Sequence, residues 1–593
     1  MLKQPRLVFS ALLAAGTGAC LAPPSFGSHN DDAPPPATTS KPSKPTQPPP
    51  LPGASSLLGG DVHRASRAYP ISGGTLIVTR DGTTAVAADP DRGRVFLSDL
   101  ATRTTRAVNV EVDDEIGRVV EGEAGRVYVV ARRGGAVLSI DVASGTLISR
   151  MAVCNAPRGL AYDATTAELH VACSSGALVT LDPRTGERTR QLQLSDDLRD
   201  VLVVGNQLMV TRFRSAEMLV IDASGREASR TTPKATGFRR GGPSTLAFRA
   251  VAATSSSFVV AHQASSDAVL GTGLGAYYGG NCGGSVADTF VSVVDTSAAR
   301  TTSANTPARL SVTTFGLRGA TGPLDIAVSR DGKRTAVVAI GNSWTVEEQK
   351  PNLRVFEGAV QTSLGAGATT DCWDSSGTPV GGEAVAVAFD SRGQYIVQLR
   401  EPAKLILEDK SQVVREISLS TDSRFDAGLA LFHLNTGGGI SCASCHPEGG
   451  VDGHVWRFDE FGSRTTQPLQ GEVSKRAPFH WNGDLGGWSE LIDEVMMKRM
   501  AMTVAPSADQ SKALLAWIDT IPAPKPGDAL DPASVERGRA LFDDPVVACA
   551  TCHAGPMFTD NKAHDVGTGG RFVAPSLVGV GARAPLMHHG CAR

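Results

Sequence analysis

The chain has 593 residues, 41% of them hydrophobic, and a formal net charge of −3 at pH 7. That length exceeds one ordinary domain, and the near-neutral charge excludes an electrostatic nucleic-acid surface, so no nucleic-acid partner is expected. Sixty-four glycines with only 5% aromatic residues favour short strands and tight turns over long helices.

Lys3 and Arg6 precede "LVFSALLAAGTGACLA", an apolar run too short to span a bilayer and ending in small residues. Residues 1–20 therefore read as an export signal, which places the protein in the periplasm or at the cell surface. Cys20 follows Thr17, Gly18 and Ala19, which resembles the lipobox of bacterial lipoproteins, with Thr17 where leucine is usual. The resemblance implies a lipid tether on Cys20 and an outer-membrane anchor; simple cleavage is the alternative. Residues 21–60 hold "DDAPPPATTSKPSKPTQPPPLPG", too poor in apolar side chains to fold, and form a linker.

Residues 61–420 repeat themselves. Strand-like runs such as "TAVAAD", "VYVVAR", "LHVACS" and "QLMVTR" are each followed by a second β-rich run ending in an acid: Asp99, Asp141, Asp182, Asp222, Asp295, Glu357 and Asp409. The first four acids are 42, 41 and 40 residues apart. A period near ~40 with four short strands per unit is the signature of a propeller blade. The expected fold class is therefore multidomain: an all-β seven-bladed propeller, then mainly α-helical tandem domains. The period and pattern resemble the bacterial YVTN-type propellers. Seven units can bury their own core, so residues 61–420 are expected to fold alone. The fifth unit carries the insertion "GTGLGAYYGGNCGGSVADT", and another follows the sixth. Cys154 with Cys173 in one blade, and Cys282 with Cys372 in the insertions, suggest two disulfides in an exported protein. His170 and His262 fall inside apolar strands and read as packed side chains.

From residue 421 the pattern turns helical. "DAGLALFHL" precedes Cys442, Cys445 and His446 in the pattern Cys-x-x-Cys-His, and "SVERGRALFDD" precedes Cys549, Cys552 and His553 in the same pattern. Two thiols at i and i+3 can add to both vinyl groups of one haem, and the next histidine supplies the proximal nitrogen to its iron. With ten cysteines and twelve histidines, chance would place this pattern on the order of 0.003 times. Zinc would need a second ligand pair at finger spacing, which is missing. The cofactors expected are two covalently bound c-type haems, with His446 and His553 as proximal iron ligands.

The two motifs belong to a duplication. His446 to Ala477 and His553 to Ala584 both span 31 residues, ending in "RAPFHWNGD" and "RAPLMHHGC". The first unit covers residues 421–525 and the second 526–593, which lacks a counterpart of "ALLAWIDTIP" and so reads as incomplete; Cys591 reads as unpaired. Residues 424–593, with "FHWNGDLGGWSELIDEVMMKRM" and "FVAPSLVGVGARAPLMHHG", resemble the bacterial di-haem cytochrome c peroxidases and their MauG-like relatives. In that family a Gln and a Glu act on peroxide at the first haem; Leu491 and Arg499 stand near those places here, and neither relays a proton as a carboxylate would. Met496, Met497, Met500 and Met502 follow, and Met500 matches the family's methionine most nearly. A thioether there would close the sixth iron position. For the second haem the local candidates are Met557, Met587, His588 and His589, none singled out by its surroundings in the sequence; Met587 is taken as the distal candidate. The function expected is extracytoplasmic electron transfer with a redox partner protein or small donor or acceptor, the propeller serving as docking platform. The alternative is a haem-dependent peroxidase or MauG-like oxidase.

Overall fold

The computed structural model describes residues 61–592 except 124, 236–240, 278–284, 297–309, 318–319, 341–352, 360–371, 374–377, 380, 409–413, 437–438, 503 and 526–530. The signal, Cys20 and the linker lie outside them, as do Asp409, Cys282 and the side chain of Cys372.

Seven sheets follow one another along the chain, antiparallel except that Cys372–Trp373 adds in parallel to the edge of the fifth. The first is Leu76–Val78, Thr84–Asp89, Arg94–Asp99 and Thr105–Asn109, in that order. The innermost strands of the next six are Ile116–Glu121, Pro157–Asp163, Leu198–Val204, Ser244–Thr254, Gly322–Val328 and Ala384–Phe389. Each packs on its neighbours, and the last touches the first, so the sheets close into a seven-bladed ring. Closure leaves no open sheet face at either end. Among the described residues no strand is exchanged across the seam between blades one and seven; side chains join it instead. Arg400 pairs with Asp91 at 2.6 Å and with Glu383 at 2.7 Å, and Gln398 donates to the Ala88 carbonyl at 2.9 Å.

The recurring acid has a structural cause. Asp99, Asp141, Asp182 and Asp222 each accept a backbone N–H from a residue two to four positions on, at 2.7–3.0 Å. They cap the turn into the outermost strand. His170 and His262 are packed in their strands, bonded to Thr180 and Ser292 hydroxyls at 3.0 and 2.8 Å. Cys154 and Cys173 form a disulfide.

Beyond the last propeller strand, Val414–Ser418, helices are short and separated by turns. They are Ala427–Phe432, Cys442–Cys445, Trp488–Leu491, a π-helix Ile492–Arg499, Ala508–Ile518 and Pro532–Asp543, with hairpins at Val455–Thr465 and Ala563–Val573. The sequence predicts mainly helical domains; this part instead mixes short helices with hairpins and long connecting turns. Asp426 begins the first helix: its Oδ1 accepts from Leu429 N at 3.0 Å. Its Oδ2 accepts from Arg64 Nε at 2.9 Å and Ala65 N at 3.1 Å, fastening the N-terminal stretch onto the helix. Ser507 and Gln510 form a capping box for Ala508–Ile518. These two helices cross at Gly428, where an added Cβ would lie 2.4 Å from both the Ala513 carbonyl and Trp517 Cβ. Gly428→Ala is expected to cost about 1–3 kcal/mol, because rigid backbone must part; an unchanged unfolding midpoint would contradict this packing.

The propeller and the C-terminal part are not separated by a gap. One apolar cluster runs from Val338 and Val397 of blades six and seven through Ala68 and Ile71 to Phe432, Met496, Met500 and Trp517. Residues 61–71 form a strap between them: Ala427 N donates to the His63 carbonyl and Trp517 Nε1 to the Ala68 carbonyl, both at 2.9 Å.

Candidate functional site

The first Cys-x-x-Cys-His motif sits on a helical turn that Ser441 caps reciprocally with Ser444. The propeller clamps this turn from three sides. Gln263 Nε2 of blade five donates to the Ser444 carbonyl at 2.7 Å, and Ser444 Oγ donates to the Thr321 carbonyl at 2.8 Å. Glu448, two residues past His446, pairs with Arg132 at 2.5 Å and Arg199 at 2.7 Å. Burial by itself would raise the Glu448 carboxyl, but the two guanidinium groups hold it well below the usual carboxylate range.

His446 Nδ1 lies 3.4 Å from the Gly450 carbonyl, and His553 Nδ1 lies 3.1 Å from the Phe558 carbonyl. A carbonyl can only accept, so Nδ1 carries the proton in each ring and Nε2 keeps its lone pair. Burial pushes His446 down to about 4, so it is neutral at pH 7. Cys442, Cys445, Cys549 and Cys552 are all free of disulfides. Burial pushes the Cys442 thiol up to about 12 and Cys445 well above its usual value.

Both motifs open on one cavity of about 520 Å³ with mainly apolar walls, reached by Cys442, Cys445 and His446 from one unit and by Cys552 and His553 from the other. Apolar walls, free thiol pairs and histidines with one nitrogen already satisfied fit thioether-linked haem. Met500 and Met496 line the cavity, both buried. Met502 and Met497 do not reach it. The π-helix delivers Met500: its wide last turn closes with Met500 N donating to Val495 O at 2.9 Å. Thr436 Oγ1 holds the Met500 carbonyl at 2.8 Å. Of the candidates in the second unit, Met587 and His588 line the cavity, and Met557 and His589 do not.

Leu491 and Arg499 are on the cavity wall, Arg499 paired with Glu494 at 3.0 Å. The sequence reading missed Asp484, a carboxylate on the same wall; His480 at 3.3 Å helps hold it ionised, a poor state for donating a proton. It also missed the part played by the blade-five insertion. Val269–Leu270 leaves its blade and pairs in parallel with Val455–Phe458. Gly275 N and Tyr277 N then donate to the Lys498 and Arg499 carbonyls, at 2.7 and 3.0 Å, satisfying the end of the π-helix. Leu270 and Tyr277 complete the cavity wall. The length of the insertion was the available signal; its destination was not.

The duplication is geometric as well as textual. Bridges Phe479↔Leu485 and Leu586↔Ala592 recur 107 residues apart, as do the left-handed residues His480 and Met587. Each unit braces the other: Val573 N donates to the Trp481 carbonyl at 2.8 Å, and Thr465 N to the His588 carbonyl at 2.7 Å. Cys591 is disulfide-bonded, which corrects its reading as an unpaired thiol.

Fold and site together define a seven-bladed β-propeller joined to a duplicated Cys-x-x-Cys-His unit. No known family profile matches the chain. It is similar to the gamma subunit of hydrazine synthase from Kuenenia stuttgartiensis, with 31% identity over 156 residues. That match covers 22% of this chain and 44% of the relative, so the chain spans less than half of the relative's length. Among solved structures it is similar to Kuenenia stuttgartiensis hydrazine synthase, with a TM-score of 0.41 and 17% identity over 61% of this chain and 100% of that one. It is also similar to a streptogramin B lyase, with a TM-score of 0.37 and 9% identity over 57% and 95% of the two chains.

Proposed function

We propose that the protein is an exported two-haem c-type cytochrome that transfers electrons, built on a propeller that holds its first haem unit. The observation that carries this reading is the single apolar cavity onto which both Cys-x-x-Cys-His motifs open. Cys442 with Cys445, and Cys549 with Cys552, would hold the haems covalently; His446 and His553 would hold the irons. Bound haem supplies one-electron iron chemistry. The chain's own work is to fix both imidazoles by their Nδ1–H groups and keep water from an apolar site; Met500, on the cavity wall, would supply a thioether to the first iron. Met587 is the corresponding candidate for the second. The absence of a proton-donating carboxylate at Leu491 and Arg499 supports a carrier over a peroxidase. The disulfide Cys154–Cys173 and the N-terminal signal support an oxidising compartment outside the cytoplasm, with Cys20 as tether. A redox protein or small electron donor or acceptor is the partner this implies.

The test is direct. Haem colour should stay with the denatured polypeptide, and Cys442→Ala/Cys445→Ala should retain one haem equivalent of two. Haem fully extractable into acid acetone would refute covalent attachment. Hydrogen-peroxide turnover by the reduced or half-reduced protein at ~10 per second or more would replace the carrier by an enzyme.

A further inference from the structure

Arg476 and Arg583 hold the same place in the two units, each opening the sequence Arg-Ala-Pro. Both line the cavity. Arg583 is 9% exposed. Its Nη2 donates to the Ser576 carbonyl, while its Nε–H is buried and meets no acceptor. Arg476 is arranged alike: Nη1 donates to the Pro468 carbonyl at 3.0 Å, Nη2 to the Gln470 and Gly471 carbonyls, and Nε–H is again buried without an acceptor. Among the described residues neither guanidinium has an ion-pair partner. Asp519 and Glu472 act on Arg476 only through space and form no ion pair with it; Asp519 accepts from Ser474 N at 3.0 Å and Glu472 pairs with Lys475. Burial and then Arg476 depress Arg583 to about 10, so the two cations feel each other.

Two neighbouring buried cations without an anion are unfavourable. A guanidinium whose Nε–H is left open presents one half of the fork that binds a carboxylate. Other strongly buried arginines have an acid: Arg118 pairs with Asp200 at 2.8 Å, Arg199 with Glu448 and Arg400 with Asp91. Among the described residues Arg464 also faces the cavity without one, but it is occupied by Asn482 Oδ1 at 3.0 Å and the Phe572 ring at 5.0 Å, whereas Arg476 and Arg583 each keep a buried Nε–H open. We infer that Arg476 and Arg583 form a paired carboxylate site that takes propionate groups of the haems in this cavity. The inference rests on the two-haem reading and extends it to the acidic edge of the cofactor, a part the Cys-x-x-Cys-His motifs do not touch. The site is bipartite: the duplication supplies one arginine from each unit.

The experiment uses the full-length holoprotein. Haem content is measured first; fewer than two equivalents in the unaltered protein would sink the two-haem reading, and this inference with it. Arg583→Met and Arg476→Met are then compared with the unaltered protein. Both should keep two haem equivalents, because attachment is through cysteine. Each should lower the reduction potential of at least one haem by about 59 mV, a tenfold shift toward Fe(III), because a positive charge beside the propionates favours Fe(II). Each should also lower the unfolding temperature. Arg583→Lys, which keeps the charge and loses the fork, should stay nearer the original potential and serves if the methionine variant does not fold. Unchanged potentials with a raised unfolding temperature would overturn the inference, since removal would then merely relieve an unpaired charge. A potential that moves in the unaltered protein on adding formate or phosphate, and no longer moves in Arg583→Met, would overturn it too, showing a site open to a diffusible anion.

Discussion

Glu448→Ala is expected to destabilise the protein by about 3–5 kcal/mol, the cost of leaving a buried ion uncompensated. Arg199 suffers most. Its side chain is 2% exposed, and Glu448 is its ion-pair partner. What remains to it is neutral: the Phe248 carbonyl at 3.0 Å, the Ser72 carbonyl and hydroxyl at 3.4 Å, and the Phe213 ring at 4.3 Å. Arg132 is less affected, because Glu115 still faces it at 3.2 Å. Replacing both partners, as in Glu448→Gln/Arg199→Met, should recover much of the loss, since a neutral pair needs no counter-ion. The pH dependence follows from the direction of the shift. Glu448 titrates lower in the folded protein than in the unfolded chain. Its contribution is therefore complete above the unfolded value, near ~4.3, and is lost as pH falls through the folded one. Glu448→Ala should narrow the gap in unfolding free energy from the unaltered protein as pH drops below ~4.3. Equal unfolding free energies for the two proteins at pH 7 would contradict the clamp.

That clamp shows where sequence reading succeeds and where it stops. The ring was legible because its unit repeats every ~40 residues, and each unit advertises itself by an Asx-turn acid such as Asp141 or Asp222. The thiol–histidine motifs were legible because their chemistry is local, confined to five consecutive residues. Met500 was legible only by resemblance: a π-helix is set by its neighbours, here the carbonyl contacts of Gly275 and Tyr277. Glu448 gave no signal, because its importance lies in Arg132 and Arg199, hundreds of residues away. Arg476 and Arg583 were visible as a repeated Arg-Ala-Pro, yet only the fold reveals that neither forms an ion pair among the described residues. The hairpins Val455–Thr465 and Ala563–Val573 escaped a helical reading because each is stabilised by the opposite unit rather than by its own alternation.

A fragment of residues 61–420 is expected to aggregate when expressed alone, whereas residues 61–525 should stay soluble. The blade-to-blade clusters are internal to the ring and survive truncation: one joins Val86, Val129 and Leu138, another Val171 and Leu181. The cluster at blades six and seven does not. It continues through Ala68 and Ile71 into Leu429, Leu431, Phe432 and Ile518, each at most 1% exposed. Burying four such side chains contributes about 6–12 kcal/mol at ~1.5–3 each, comparable to the whole net stability of a domain, about 5–15 kcal/mol. Truncation removes that cover and releases the strap, which loses Asp426, Ala427 N and Trp517 Nε1 together. Arg199 is also stranded, as in Glu448→Ala. The chain boundary near residue 420 is thus a change of sequence character, while the core passes straight across it. Light scattering and thermal unfolding of the two fragments decide the matter. A monomeric 61–420 fragment that unfolds cooperatively at the temperature of the full-length propeller would show that the ring needs nothing from the haem-motif units, and that the shared cluster is two cores in contact.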